Sequence, residues 1–301
     1  MIVNRLAPCK VNLILNILGK RPDGFHELET ILYPIPIHDG LEIERGGVGI
    51  RLDCDAPGVP SDASNLVHRA AGVFLGRIGA QDGVSIRLVK HVPASAGLGG
   101  GSSDAAHTLL GLNELFGFPL TDSEITGLAA GLGSDVPFFL QESPAMGVGR
   151  GENITPLAPF DALEGAAFVL CQPGFGVSTV WAYKALAGFP QALNGRSGRA
   201  ADLAVSFQTG SLASAAPLMY NALEFPVFEK YPLIALMVDS MKSEGAIGAM
   251  MSGSGSTAFG ICPSLASGEG LAESLRRQFG SRTWVAVVEV RRPAKPFVES
   301  S

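Results

Sequence analysis

Val11, Leu13, Leu15 and Ile17 alternate with other residues, the pattern of a strand with one buried face. The opening "MIVNRLAPCKVNLILNILG" therefore predicts a strand, and the "RPDGF" that follows predicts a turn. "GLEIERGGVGIRLDCDAPG" predicts two short strands joined at a glycine turn. From Ser64, Leu66, Ala70, Val73 and Phe74 recur at helical spacing, and Gly79 ends the run. Val84, Ile86 and Leu88 alternate again, so "GVSIRLVKHVP" predicts a strand. A glycine stretch intervenes, and then Ala105, Leu109, Leu112 and Phe116 predict a helix. "TDSEITGLAAGLG" predicts another, with Thr121 or Asp122 as its cap, and "SDVPFF" follows.

A polar stretch holding Pro156 and Pro159 separates this half from the next, which begins with the strand "AAFVLCQPG". The expected domains are therefore residues 1–155 and 156–301. In the second, "QALNGRSGRAADLAVSFQTG" reads as loop-rich, and a helix is expected from Pro232 to Glu244. The glycine–serine stretch "GAMMSGSGSTAFGI" precedes an expected helix, "EGLAESLRRQF", and an expected strand, "TWVAVVEV". "RRPAKPFVESS" reads as a frayed tail. Strands and helices mix in both halves, so the class is α+β or α/β.

Composition narrows the partners. The formal charge of −6 over 301 residues argues against a nucleic-acid sheath or a polybasic membrane patch. It leaves room for one locally positive phosphate pocket. The four cysteines show no metal-binding spacing, and no apolar run approaches the roughly 18 residues of a membrane span. The expectation is a reduced cytoplasmic protein without a nucleic-acid or membrane partner. Its oligomeric state, monomer or homodimer, stays open.

The chemistry concentrates in "VPASAGLGGGSSDAAH", from Val92 to His107. Residues 93–103 are Pro93, Ala94, Ser95, Ala96, Gly97, Leu98, Gly99, Gly100, Gly101, Ser102 and Ser103. Glycine admits positive φ and close approach to its backbone, so successive amides can turn toward an anion. A helix starting directly afterwards adds unpaired N–H groups and the positive end of its dipole. Ser102 and Ser103 add hydroxyls for a phosphate or a magnesium ion, and Asp104 reads as a helix cap. No GK[ST] follows the glycines, which excludes the Walker A loop, and Ser102 stands at the third glycine position of the dinucleotide fingerprint.

"PASAGLGGGSSDAA" resembles the phosphate loop of the GHMP kinases. "APCKVNLILNILGKRPDGFHELETIL", "LGSDVPFFL", "GVGRGENITPL" and "PGFGVSTVWAYKAL" resemble one branch of that family, whose substrate carries a cytidine diphosphate. The resemblance implies an α+β, two-domain fold. Its N-terminal ATP-binding domain would be ribosomal protein S5 domain 2-like, and its C-terminal substrate domain ferredoxin-like. It implies ATP, with Mg2+ arriving on the nucleotide, and a small-molecule substrate. No dedicated protein cage for a metal is expected.

The same resemblance assigns roles. Asp135 matches the catalytic aspartate, whereas its spacing alone favours a helix cap. Lys10 is its partner, although a lone lysine at a strand start is ordinarily solvated. Asn12 faces the same side of the strand and would bond the substrate. Phe25 and Tyr183 would stack on cytosine, with His26 at the base edge and Thr179 on the diphosphate or ribose. Core packing for the two rings and a solvent-facing turn for His26 are the alternatives. Asn65, Leu66 and Lys90 match positions near the adenine, Lys90 reading equally as a solvated strand residue. Gly253, Ser254 and Gly255 match a C-terminal motif that closes over the substrate side, or else form a tight turn between strand and helix. Phe25 stands where tyrosine is usual in the family, and Ser95 where alanine or glycine is. Another GHMP kinase acting on homoserine or a mevalonate derivative, and a non-catalytic nucleotide-binding protein, remain the competing readings.

Overall fold

The computed structural model describes residues 1–291. The expected frayed tail therefore lies outside the described residues, Arg291 apart. Strands β1 (Ile2–Lys20) and β2 (His26–Arg45) form a long antiparallel hairpin. Its turn closes through Arg21 N donating to Phe25 O at 2.8 Å, with Gly24 at φ +87°. Residues 9–17 of β1 are buried on both faces, where the alternation predicts one. The second face is covered by the C-terminal half of the chain, which no periodicity within β1 can reveal.

Strand β3 (Ile50–Cys54) runs parallel to β4 (Val84–Val89), which pairs antiparallel with the end of β2. The two strands expected across the glycine turn at residues 46–49 thus do not pair with each other. Between β3 and β4 runs α1 (Leu66–Ile78), capped by the Asn65 side chain and ended by left-handed Gly79. Helix α2 (Gly100–Leu115) and α3 (Asp122–Leu132) follow, α3 opening on a capping box between Thr121 and Glu124. Strands β5 (Ala145–Gly149) and β6 (Asn153–Pro156) extend the other edge of β2. Helices α1 to α3 cover one face of this sheet around Phe74, Leu109 and Leu112.

The second half begins with β7 (Ala167–Gln172) and α4 (Thr179–Ala185). The stretch expected to be loop-rich holds α5 (Arg199–Thr209), on which Ala200, Leu203, Ala204 and Phe207 are buried at helical spacing. Glycines at 195, 198 and 210 bracket that short stripe and mask it. After α6 (Leu212–Ala215), the two-residue β8 (Tyr220–Asn221) joins the first sheet, parallel to β1 at Ile14 and Leu15. Helices α7 (Glu224–Lys230) and α8 (Pro232–Ser243) lead to β9 (Gly248–Met251) and β10 (Ala258–Cys262). The glycine–serine stretch is thus the turn of a hairpin, not a link from strand to helix. Helix α9 (Leu265–Phe279) and β11 (Trp284–Glu289) complete a four-stranded antiparallel sheet of order β11-β7-β10-β9.

A second core joins the halves. Leu13 and Ile35 of the first sheet share it with Phe168 and Phe259 of the second, all fully buried. Each such side chain contributes about 1.5–3 kcal/mol on burial. This packing brings the β9–β10 turn against the glycine loop.

Candidate active site

The glycine loop is built from behind as well as opened in front. Ser95, Gly97 and Gly99 take left-handed φ values of 53°, 79° and 70°. A Cβ on Gly97 would lie 2.1 Å from Ser252 O, and one on Gly99 would lie 2.9 Å from the Phe139 ring. Protein, not only a ligand, requires bare backbone at these positions. Lys10 N donates to Leu98 O at 2.9 Å, Thr257 N to Ala96 O at 3.0 Å, and Ser252 Oγ to Gly97 O at 2.9 Å. Helix α2 starts at Gly100 with left-handed Gly99 at its N-cap and no side-chain cap. Its first-turn N–H groups therefore face the cavity without helical partners.

Two serine and aspartate expectations change here. Ser102 lines the cavity, but Ser103 is buried away from it, its Oγ 3.5 Å from His107 Nδ1. Asp104 is not a cap. The helix begins four residues earlier, and Asp104 turns into the core beside Lys90 at 2.7 Å. Lys90 is buried there and does not line the cavity, so it is neither solvated nor at its wall.

Lys10 Nζ and Asp135 Oδ2 lie 3.7 Å apart, their side chains 4% and 40% exposed. Lys10 also donates to Asn12 Oδ1 at 2.6 Å and to Gly97 O at 3.0 Å, tying the ammonium to the loop. Burial pushes the Lys10 ammonium below its ordinary range, and the Asp135 charge pulls it back. Asp135 lies just after Gly133, which ends α3, and before the 3-10 turn Pro137–Leu140. The N-cap of that turn is Val136, with no side-chain bond, so Asp135 is not spent as a cap. Asn12 is fixed by donating to Thr30 Oγ1 at 2.9 Å.

These groups converge on one cavity of about 460 Å³. Lys10, Asn12, Asp135, residues 93–102, Leu66, Thr179 and Tyr183 line it. Thr179 Oγ1 lies 2.8 Å from Ser254 Oγ, so the β9–β10 turn supplies part of the wall. Burial, with the Asp135 charge behind it, raises the Tyr183 phenol above its ordinary range. Asn65 is outside the lining. Its side chain caps α1 through Val67 N at 2.8 Å and donates to Pro60 O at 2.7 Å. Phe25 and His26 are outside it too. The His26 ring packs 5.4 Å from that of Tyr183, while Phe25, 52% exposed, lies under the Arg150 guanidinium at 4.7 Å.

Sequence reasoning missed the supports. Ser252 Oγ accepts from Asn12 N at 3.3 Å while donating to the loop. Asn221 Nδ2 donates to Met251 O and Gly253 O, both at 2.8 Å. Nothing in their local spacing marks these residues. Glu224 accepts from Met251 N at 2.8 Å, and burial pushes its carboxyl up to about 7. The folded protein thus holds this proton more tightly than the unfolded chain. Its contribution to stability is complete below the ordinary carboxylate range and is lost as pH rises through about 7. Glu224→Gln, which keeps the acceptor and cannot ionise, should raise the thermal midpoint at pH 8 and leave it unchanged near pH 5. Equal shifts at both pH values would refute this.

The family model for the GHMP kinases N terminal domain matches residues 65–143, and that for the GHMP kinases C terminal matches residues 203–281. A 4-diphosphocytidyl-2-C-methyl-D-erythritol kinase of Synechococcus sp. is 41% identical over 281 residues, 91% of this chain and 89% of that protein. The chain belongs to the GHMP kinase family, in its 4-diphosphocytidyl-2-C-methyl-D-erythritol kinase branch. A relative of that name from Pelotomaculum thermopropionicum is 40% identical, with 92% and 95% of the two chains covered. Among solved structures, a 4-(cytidine 5'-diphospho)-2C-methyl-D-erythritol kinase superposes with a TM-score of 0.76 at 35% identity, covering 95% of this chain and 99% of that one. Homoserine kinase from Cytophaga hutchinsonii shares the GHMP kinase fold, with a TM-score of 0.73 at 17% identity over 96% and 95% of the chains. Among the described residues of this GHMP kinase, no helix is long and apolar enough to cross a membrane.

Proposed function

We propose that this protein transfers the γ-phosphate of ATP to the 2-hydroxyl of 4-diphosphocytidyl-2-C-methyl-D-erythritol, releasing ADP. The observation that carries this reading is the Lys10–Asp135 pair, 3.7 Å apart at the wall of the cavity that the uncapped start of α2 also faces. The relatives' shared name supplies the acceptor. In the reaction the acceptor oxygen bonds the γ-phosphorus as the bond to the ADP oxygen breaks. The hydroxyl proton passes to Asp135, which suffices as a weak base because proton transfer comes late in a loose transition state. Lys10 orients the hydroxyl, and the amides of residues 97–102 compensate phosphate charge.

No group of three or more His, Cys, Asp or Glu that could hold a metal occurs among the described residues. The Ser102 hydroxyl at the cavity wall fits a magnesium ion carried in on the triphosphate, which would neutralise phosphate charge. Leu66 serves the adenosine side, with Asn65 shaping it as the cap of α1. Tyr183 and His26 read the cytosine, and Thr179 its diphosphate or ribose. Phe25, exposed and under Arg150, would have to leave that contact to stack on the base. The nucleotide domain runs to the end of β6 at Pro156, and the second half of the described chain forms the substrate domain while lending β8 to the first sheet. The four free cysteines fit the reducing cytoplasm.

The test offers purified protein, magnesium and ATP three acceptors in parallel: the cytidyl substrate, homoserine and mevalonate. ADP release with the cytidyl substrate alone is expected. Turnover with homoserine or mevalonate alone, or with none by folded, ATP-binding protein, would overturn the proposal.

A further inference from the structure

Lys90 ends just beyond β4, Asp39 lies within β2, and Asp104 lies in α2. Lys90 Nζ donates to Asp104 Oδ2 at 2.7 Å and also to Asp39 Oδ2. The three side chains are sealed from solvent. Asp39 Oδ1 accepts from His91 N at 2.6 Å and Val92 N at 2.8 Å, the residues leading into the glycine loop. The cluster therefore grips the loop at both ends, residues 90–92 on entry and Asp104 on exit. It also packs against the start of α2, because a Cβ on Gly100 would lie 3.3 Å from Lys90 Nζ and 3.4 Å from Asp39 Oδ2.

Stability alone does not account for this arrangement. Two buried carboxylates around one ammonium carry a desolvation cost that apolar residues of similar volume avoid. Asp104 Oδ1 is buried without a hydrogen-bond partner among the described residues. Burial pushes the Asp104 carboxyl up to about 7 against the pull of Lys90. What the cluster does supply is a fixed neck for a loop spanning 14 sequence positions. Oxyanion-type donors act only where they are already aimed, and small misplacements weaken them steeply.

We propose that Asp39, Lys90 and Asp104 are positioning residues for phosphoryl transfer, holding the neck of the glycine loop so that its amides converge on the nucleotide's terminal phosphates. The proposal rests on the reading of that loop as the phosphate site. Its test measures ADP and adenosine affinities by calorimetry for the wild type, Lys90→Met, Asp104→Leu, the double variant and Asp104→Asn, with thermal melts alongside. The double variant leaves Asp39 held by His91 N and Val92 N alone, so the melts check its fold, and Asp104→Asn, isosteric with aspartate, keeps a folded sample available. The leucine and methionine variants should lose about 10- to 50-fold in ADP affinity, with adenosine within about twofold. Asp104→Asn, which keeps an acceptor for Lys90, should stay within about threefold of wild type for ADP. A fall in melting temperature with the ADP-to-adenosine ratio unchanged would overturn the proposal. A wild-type protein that binds ADP no more tightly than adenosine would instead sink the phosphate-loop reading itself, and the clamp with it.

Discussion

Asp135→Asn should lower turnover by about a thousandfold or more while ADP affinity stays within about twofold. Asparagine matches aspartate in shape and still accepts a hydrogen bond, so the fold around residues 133–140 has no reason to change. What disappears is the charge and the ability to take a proton. The loss extends to Lys10. Burial already pushes that ammonium down, and the Asp135 charge is the main influence holding it up. Without it, Lys10 gives up its proton more readily and orients the acceptor hydroxyl less well. The two residues therefore act as a unit, and adding Lys10→Met to Asp135→Asn should cost much less than the product of the single effects. Steady-state turnover and ADP titration of the three variants decide the matter. Turnover of Asp135→Asn within tenfold of wild type would remove Asp135 from the chemistry.

The glycine loop was legible because its composition is itself the signal: bare residues followed at once by a helical stripe. The reading was nevertheless incomplete. Gly97 and Gly99 admit other protein segments as well as a ligand, and those segments lie far away in sequence at Phe139 and Ser252. Lys10 and Asp135 were legible only through motif resemblance, since no local pattern relates two residues brought together by folding. Lys90 shows the same limit from the other side. Its partner Asp39 lies 51 positions away in β2, and Asp104 resembles a cap because the helix start lies hidden within the glycines. Both faces of β1 are buried because the second half of the chain packs on it, a long-range fact that alternation cannot encode. Helix α5 was lost for a different reason: its four buried positions are brief and flanked by loop-forming residues.

Gly97→Ala should disable both the fold and the site. Gly97 has φ +79°, where an L-residue pays about 1–2 kcal/mol. Its Cβ would fall 2.1 Å from Ser252 O, an impossible approach to another backbone atom, with Gly255 N at 3.0 Å beyond it. Relief by a rotamer is unavailable to a methyl group, so the loop and the β9–β10 turn must separate. Separation breaks the bond from Ser252 Oγ to Gly97 O and shifts the carbonyl that accepts from Lys10 Nζ. Strain and lost packing together should cost about 3 kcal/mol or more. The displaced amides should raise the KM for ATP about a hundredfold. The same substitution at Gly127, inside α3 with nothing within 4 Å of its Cβ and no positive φ, has the opposite expectation. Gly127→Ala should stabilise by about 0.5–1 kcal/mol through helix propensity and leave the KM unchanged. Denaturant unfolding of both variants, with ATP kinetics where they fold, tests the contrast. A Gly97→Ala protein of wild-type stability and wild-type KM would show that the loop does not press against Ser252.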